Sequence, residues 1–98
     1  MNKQKKINDL REKIRKGAIT CGTWQQIPHI GISEIIASQG YDWVVIDLEH
    51  GSINTGQLPN LFCAIETHNV LPFVRLKESH YSDAHSALEA GASGLIFP

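Results

Sequence analysis

The chain has 98 residues, of which 42% are hydrophobic, enough for one small globular domain and no more. Its net charge of −1 is unevenly spread: residues 1–17 hold seven Lys and Arg against two acids, and residues 18–98 hold two against eight. The basic segment contains no aromatic residue and no Gly-rich or Cys/His motif, so nucleic acid is not an expected partner. No run of about 18 apolar residues is available to span a membrane, and no signal-peptide pattern follows the lysines.

The first predicted elements are a helix over residues 3–16, a strand over 18–24 and a second helix that begins near Pro28. Gly17 and Gly40 are expected to end the two helices, because glycine tolerates the left-handed turn that follows a helix. The residues predicted to form the apolar faces of these helices are Ile7, Leu10, Ile14, Ile32, Ile35 and Ile36.

The second strand is the most informative stretch, a run of Val and Ile from Trp43 that closes with Asp47, Glu49 and His50. An apolar run of this kind is typical of a strand buried on both faces of a parallel sheet. Polar side chains at the carboxyl end of such a strand lie where parallel α/β folds place their active sites.

A third helix follows, with Thr55 as its expected cap and Asn69 as its end, and its apolar residues are Leu58, Leu61, Phe62 and Ile65. The next strand covers residues 71–76 and carries Arg75. The fourth helix is expected to be capped by Ser82 or Asp83 and to end at Gly91, with Ala84, Ala87 and Leu88 facing inward; a fourth strand begins at Gly94.

This order is a helix followed by β-α-β-α-β-α-β, which predicts right-handed crossovers and a parallel sheet. The predicted strand ends at Trp24, His50, Arg75 and Pro98 are separated by 26, 25 and 23 residues. That step fits a compact unit of a TIM (β/α)8 barrel, whereas a flavodoxin-like sheet would need a fifth strand.

We therefore predict the first half of a single barrel domain, with residues 1–17 as an N-terminal helix and residues 18–98 carrying strands one to four. In such a half barrel, Val44, Ile46, Val74 and Ile96 are expected to face the interior.

Five short motifs stand out along the chain: Gly-x-Trp at 22–24, Ser-Glu-Ile at 33–35, Gly-Tyr-Asp-Trp-Val-Val-Ile-Asp-Leu-Glu-His-Gly at 40–51, Pro-x-Val-Arg at 72–75, and Leu-Glu-Ala-Gly-Ala-x-Gly-Leu-Ile-x-Pro at 88–98. In order and spacing they resemble the HpcH/HpaI family, and the resemblance covers nearly the whole chain from Gly17 onward. The resemblance implies a metal-dependent, class II pyruvate aldolase on a (β/α)8 barrel. Glu89, where the family more often has Asp, and the absence of the usual acid after Gly51 are departures that bear on the substrate.

His50 is the candidate general base, because a neutral imidazole can take a proton from a hydroxyl or from bound water near neutral pH. The resemblance implies that Asp47 orients its ring. The alternative for His50 is a structural histidine bonded to the loop backbone. Glu49 is expected to point away from His50, because side chains alternate along a strand, and is interpreted as a structural carboxylate.

Arg75 is the candidate substrate-binding residue, because a guanidinium can hold a carboxylate through two parallel hydrogen bonds. The family resemblance implies that it holds the pyruvate moiety. A structural ion pair with Asp47 or Glu49 is the alternative. Trp24, at the end of strand one, is expected to form a pocket wall, with core packing as the alternative.

The resemblance implies a divalent metal, Mg²⁺ or Mn²⁺, whose Glu and Asp ligands lie beyond residue 98; no metal ligand is assigned within the chain. The expected function is cleavage of a 4-hydroxy-2-oxo acid to pyruvate and an aldehyde, by a truncated chain that is inactive alone. The alternative is an inactive barrel fragment or interaction module. A cytoplasmic homo-oligomer is expected, with Cys21 and Cys63 as reduced core residues.

Overall fold

Four parallel strands, in the same order in the sheet as in the sequence, form the centre of the molecule in a computed structural model that describes all 98 residues. The strands are β1 (Gly22–Gln25), β2 (Trp43–Asp47), β3 (Leu71–Arg75) and β4 (Gly94–Ile96), and the helices are α1 (Lys3–Arg15), α2 (Ile30–Ala37), α3 (Leu58–Glu66) and α4 (Tyr81–Ala90). This confirms the predicted α/β order and the parallel sheet. None of the helices combines the length and the apolar character needed to cross a membrane.

The main core lies between the sheet and the helices that connect its strands. Val44 and Ile46 of β2 and Val74 of β3 are fully buried against α3. The predicted apolar face of α3 is confirmed, since all four of its residues, Leu58, Leu61, Phe62 and Ile65, are buried in this cluster. The expectation that Val44, Ile46 and Val74 face a barrel interior is therefore wrong, because they pack on the helical side of the sheet.

The opposite face of the sheet carries the other set of alternating side chains. Trp43 stacks on Phe73 with their ring centroids 6.2 Å apart. A Cβ on Gly22, the partner of Trp43 in β1, would lie only 1.9 Å from the Trp43 ring, so this position has room for glycine alone. Helix α1 borders the same face and lines with it an open apolar groove of about 450 Å³ that includes Trp24.

The predicted ends of α3 and α4 are confirmed. Asn69, with φ of 59°, and Gly91, with φ of 111°, both adopt the left-handed conformation just beyond their helices. Such a residue turns the chain out of the helix and lets the last carbonyls find hydrogen-bond partners. Each helix is thereby followed closely by the next strand of the sheet.

Several predicted element boundaries are wrong by a few residues. Strand β1 begins at Gly22 rather than residue 18 and includes Gln25, which is buried. Helix α2 begins at Ile30, because the Nδ1 atom of His29 accepts the N–H of Gly31 and caps the helix in place of Pro28.

The starts of α3 and α4 also differ from the predicted ones. A short 3₁₀ turn over Thr55–Gln57 precedes α3, and the N–H of Asn54 bonds the side chain of Gln57 there. Helix α4 follows His80 rather than Ser82 or Asp83.

Some side chains expected in the core lie at the surface. Leu88 of α4 is 54% exposed and Ile35 of α2 is 61% exposed, although both were predicted to face inward. Cys21 and Cys63 are free thiols, as predicted, but both are exposed. Short helices with apolar residues on more than one side allow several inward faces, and packing against the sheet selects one of them.

This difference in burial generates a matched prediction on two leucines. Leu61→Ala is expected to lower the free energy of unfolding by about 2–5 kcal/mol, because it empties part of a filled core. Leu88→Ala, the same change at an exposed position, is expected to cost less than about 1 kcal/mol. Urea unfolding of both variants measures the difference, and equal losses would contradict the assigned inner face of α4.

Candidate active site

A buried carboxylate, that of Asp47, lies at the carboxyl edge of the sheet and is fully inaccessible to solvent. Its Oδ1 atom accepts hydrogen bonds from the backbone N–H of Glu49 at 3.0 Å, the backbone N–H of His50 at 3.1 Å and Arg75 Nε at 3.1 Å. Its Oδ2 atom accepts from Arg75 Nη2 at 2.7 Å and Gln26 Nε2 at 2.8 Å. Five donors therefore converge on one charge.

Arg75 is the register partner of Asp47 in the neighbouring strand, so the sheet itself brings the two together. The Nε–Nη2 edge of the guanidinium donates to Asp47, and Nε forms a second ion pair with Glu49 Oε1 at 3.3 Å. One face of the group lies over the Trp24 ring, 4.7 Å from the centroid. The Nη1 atom has no hydrogen-bond partner in the chain, and the side chain keeps 23% of its surface accessible.

Glu49 and His50 both lie beside Arg75, contrary to the prediction that they point to opposite sides. The reason is that β2 ends at Asp47, so strand alternation does not extend to them. The Asp47 carboxylate accepts their two backbone N–H groups and turns the chain, in the manner of an Asx turn. His50 Nδ1 then lies 3.0 Å from Arg75 Nη2.

The hydrogen bond to Arg75 determines which nitrogen of His50 carries its proton. A guanidinium has no lone pair to offer, so it donates and His50 Nδ1 accepts. In the neutral ring the proton is then on Nε2. Asp47 bonds the backbone of His50 and not its ring, so the ring is oriented by Arg75 rather than by the expected carboxylate.

The electrostatics of the cluster keep both charges in place. Burial alone raises the pKa of Asp47, but the hydrogen bonds from Arg75, Gln26 and the backbone of His50 and Glu49 outweigh it and hold the pKa well below its ordinary range. The hydrogen bond to Asp47 raises the pKa of Arg75, opposed by desolvation and assisted by the charges of Asp47 and Glu49. Asp47 is therefore ionised throughout the neutral pH range.

Comparison with known proteins identifies relatives of the chain. The chain is 37% identical over 92 residues to the hydroxypyruvate/pyruvate aldolase of Rhizorhabdus wittichii, a match that covers 94% of the chain and 37% of that protein. It superposes on the crystal structure of the citrate synthase SbnG with a TM-score of 0.81 and 37% identity, covering 91% of the chain and 36% of that structure.

A third match carries the family name. The structure of a HpcH/HpaI aldolase/citrate lyase family protein from Burkholderia cenocepacia superposes with a TM-score of 0.82 at 30% identity, covering 93% of the chain and 37% of that structure. Over nearly all of its length the chain is similar to members of the HpcH/HpaI aldolase family. No family model matches the sequence. The chain spans about a third of the length of the curated relatives it matches.

The four residues selected from the sequence come together in one cluster. Asp47, Arg75 and His50 are in direct contact, and Trp24 covers Arg75. The structural ion pair left open for Arg75 is present, with both carboxylates. Gln26 was missed, because it lies in a predicted loop without a motif. The available signal was its position, immediately after a strand that ends at the same edge as Asp47.

The cluster does not fit a divalent metal by itself. No group of three His, Cys, Asp or Glu side chains anywhere in the chain is arranged to hold an ion. Asp47 is surrounded by five hydrogen-bond donors, which leaves its oxygens no free direction for a cation. Glu49 is drawn to Arg75.

The lowered pKa of Asp47 generates a prediction about acid stability. A carboxylate with a depressed pKa in the folded state adds stability above its unfolded value, about pH 3.9, and that stability is lost as the pH falls through the folded value. Between about pH 5 and pH 2 the wild-type protein is thus expected to lose more unfolding free energy than Asp47→Asn.

Asp9→Asn is the matched control, because Asp9 is exposed and pairs only with Lys5 on the surface of α1. Urea unfolding at a series of pH values measures the effect. Parallel pH dependences for the wild type and Asp47→Asn would show that the hydrogen bonds to Asp47 do not stabilise its charged form.

Proposed function

We propose that this chain is part of an aldolase that cleaves a 4-hydroxy-2-oxo acid to pyruvate and an aldehyde. The observation that carries the proposal is Arg75, whose Nη1 atom has no partner in the chain, next to His50 at the carboxyl edge of the sheet. An anion-binding group beside a proton-transfer group is what cleavage of such an acid needs. The relatives support it, since one is named a hydroxypyruvate/pyruvate aldolase and others 2-keto-3-deoxy-L-rhamnonate aldolase.

The proposed scaffold is a (β/α)8 barrel of which this chain contributes strands one to four. The parallel order and the match to about a third of longer relatives support it. The first and last strands, β1 and β4, each have a neighbour on one side only, and the 98 residues alone are proposed to be inactive. A non-catalytic interaction module is not favoured by relatives that are named as enzymes. The complete protein is proposed to act as a cytoplasmic homo-oligomer.

Arg75 is proposed to bind the 2-oxo-carboxylate end of the substrate. Its Nε–Nη2 edge is engaged by Asp47, so it does not have two parallel N–H groups free for a substrate carboxylate. The Nη1 atom supplies the remaining donors, with Trp24 supporting the face of the group and forming a wall of the pocket. The bidentate contact expected from the sequence is therefore made to Asp47, and substrate binding rests on Nη1.

His50 is proposed to remove the proton of the 4-hydroxyl group. As that proton leaves, C4–O becomes the aldehyde carbonyl, the C3–C4 bond breaks, and its electron pair forms the pyruvate enolate, which is then protonated at C3. The lone pair of Nδ1 is occupied by the hydrogen bond from Arg75, and Nε2 carries the proton. The ring can therefore act as a base only after it breaks the bond to Arg75 or moves its proton from Nε2 to Nδ1.

A divalent cation, Mg²⁺ or Mn²⁺, is proposed for the complete protein, with ligands outside these 98 residues. Its chemistry would be that of a Lewis acid toward the 2-oxo group. Charge balance supports the proposal: Asp47 and Glu49 carry two negative charges against one on Arg75. An anionic substrate meets a net negative cluster unless a further cation is present.

The proposed function predicts that the complete protein releases pyruvate from 4-hydroxy-2-oxo acids when Mg²⁺ or Mn²⁺ is supplied. His50→Ala is expected to lower kcat by about 10²–10⁴, the scale of a lost general base, while pyruvate affinity survives. His85→Ala is the control, because His85 is exposed on α4, away from the cluster. A His50→Ala enzyme with wild-type kcat would remove His50 from the mechanism.

Arg75→Lys tests the substrate-binding role. We expect KM for the 2-oxo acid to rise by at least about tenfold, because an ammonium supplies no planar fork with which to hold Asp47 and the substrate together. Arg11→Lys is the matched control, because Arg11 is exposed on α1 and takes no part in the ion pairs of that helix. Unchanged KM and kcat in Arg75→Lys would leave Arg75 with a structural role only.

A further inference from the structure

Gln26 is the first residue after β1, and its side chain reaches the centre of the cluster. Its Nε2 atom donates to Asp47 Oδ2 at 2.8 Å, the same oxygen that accepts Arg75 Nη2 at 2.7 Å. The amide and the guanidinium therefore hold one carboxylate oxygen between them. Gln26 makes no hydrogen bond to the His50 ring or to Trp24, so its side chain is joined to the cluster through Asp47.

The backbone around Gln26 is itself fixed by buried polar contacts. The neighbouring Gln25 is 1% exposed; its Oε1 atom accepts the hydroxyl of Ser33 at 2.8 Å and its Nε2 atom donates to the carbonyl of Ile27 at 2.8 Å. These bonds tie the loop after β1 to helix α2. Because buried polar groups are costly to leave unpaired, this loop has few alternative conformations.

The loop after β2 packs against the same residue. A Cβ on Gly51 would lie 2.8 Å from the backbone oxygen of Gln26, and Gly51 has φ of 131°, so close approach and backbone conformation both require glycine there. Gln26 therefore contacts the loop that contains His50 through its backbone and Asp47 through its side chain.

We propose that Gln26 is a positioning residue that holds the Asp47 carboxylate in the rotamer that directs Arg75 Nη1 at the substrate. Without the amide, Oδ2 keeps Arg75 as its only donor, and only the three bonds to Oδ1 still oppose a rotation of the carboxylate together with the guanidinium. The terminal torsion of an aspartate is broad, so hydrogen bonds and not intrinsic preference determine its angle. The inference rests on the proposed function only in identifying the anion that Arg75 binds.

The decisive variant is Gln26→Leu, which keeps the size of the side chain and removes the donor. In the complete protein with metal supplied, KM for the 2-oxo acid is expected to rise by about tenfold, the scale of one hydrogen bond to a charged group, with kcat within about twofold. Gln39→Leu is the matched control, because Gln39 is exposed at the end of α2.

Gln26→Glu supplies a pH profile that a purely structural role would not produce. A second carboxylate at 2.8 Å from Asp47 Oδ2 repels it when both are charged, but donates like the native amide when it is protonated. The KM of Gln26→Glu relative to wild type is therefore expected to fall as the pH is lowered from 8 to 5. Gln39→Glu should show no such trend.

A readout that needs neither substrate nor turnover separates this inference from the proposed function. Hydrogen exchange of the Arg75 Nε–H, followed by NMR, is expected to be faster in Gln26→Leu than in wild type. If the wild-type protein releases no pyruvate but this exchange still accelerates, the proposed function fails and the positioning role stands. Unchanged exchange, or an unchanged KM in an active protein, would overturn the positioning role.

Discussion

The whole site depends on the cost of burying the Asp47 charge. A carboxylate removed from water is strongly unfavourable unless it is paired and hydrogen-bonded, and Asp47 is fully buried. Its five donors come from the loop after β1, the loop after β2 and strand β3, so satisfying the charge fixes three segments at once. The carboxylate therefore holds Arg75 and the turn that carries His50 in place at the edge of the sheet.

The same carboxylate explains where β2 stops. A strand that continued to His50 would place Glu49 and His50 on opposite faces. The acceptance of two successive backbone N–H groups by Asp47 ends the strand and returns the chain over Arg75. Asp47 thus pairs with Arg75 across the sheet, ends strand β2 and positions the imidazole of His50.

Periodicity predicted the elements and their order well, because α3 has a single apolar stripe and each helix end carries a left-handed residue. It could not predict which side of the sheet the helices cover, since β2 is apolar at every position before Asp47. The choice between Val44 and Val45 as the helix-facing residue depends on packing with other strands. Gln26 and the end of β2 were missed for a related reason: both follow from side-chain hydrogen bonds that span the fold.

The hydrogen bonds of Arg75 restrict which anions the site can bind. Of its five N–H groups, those on Nε and Nη2 are taken by Asp47 and His50, which leaves the two on Nη1. Its charge is also offset by Asp47 and Glu49, so it does not attract anions through long-range charge. A ligand gains from Arg75 only where it places an acceptor at Nη1 and brings a second interaction elsewhere. A 2-oxo acid has two adjacent oxygen functions with which to meet both conditions, and a simple anion has only the first.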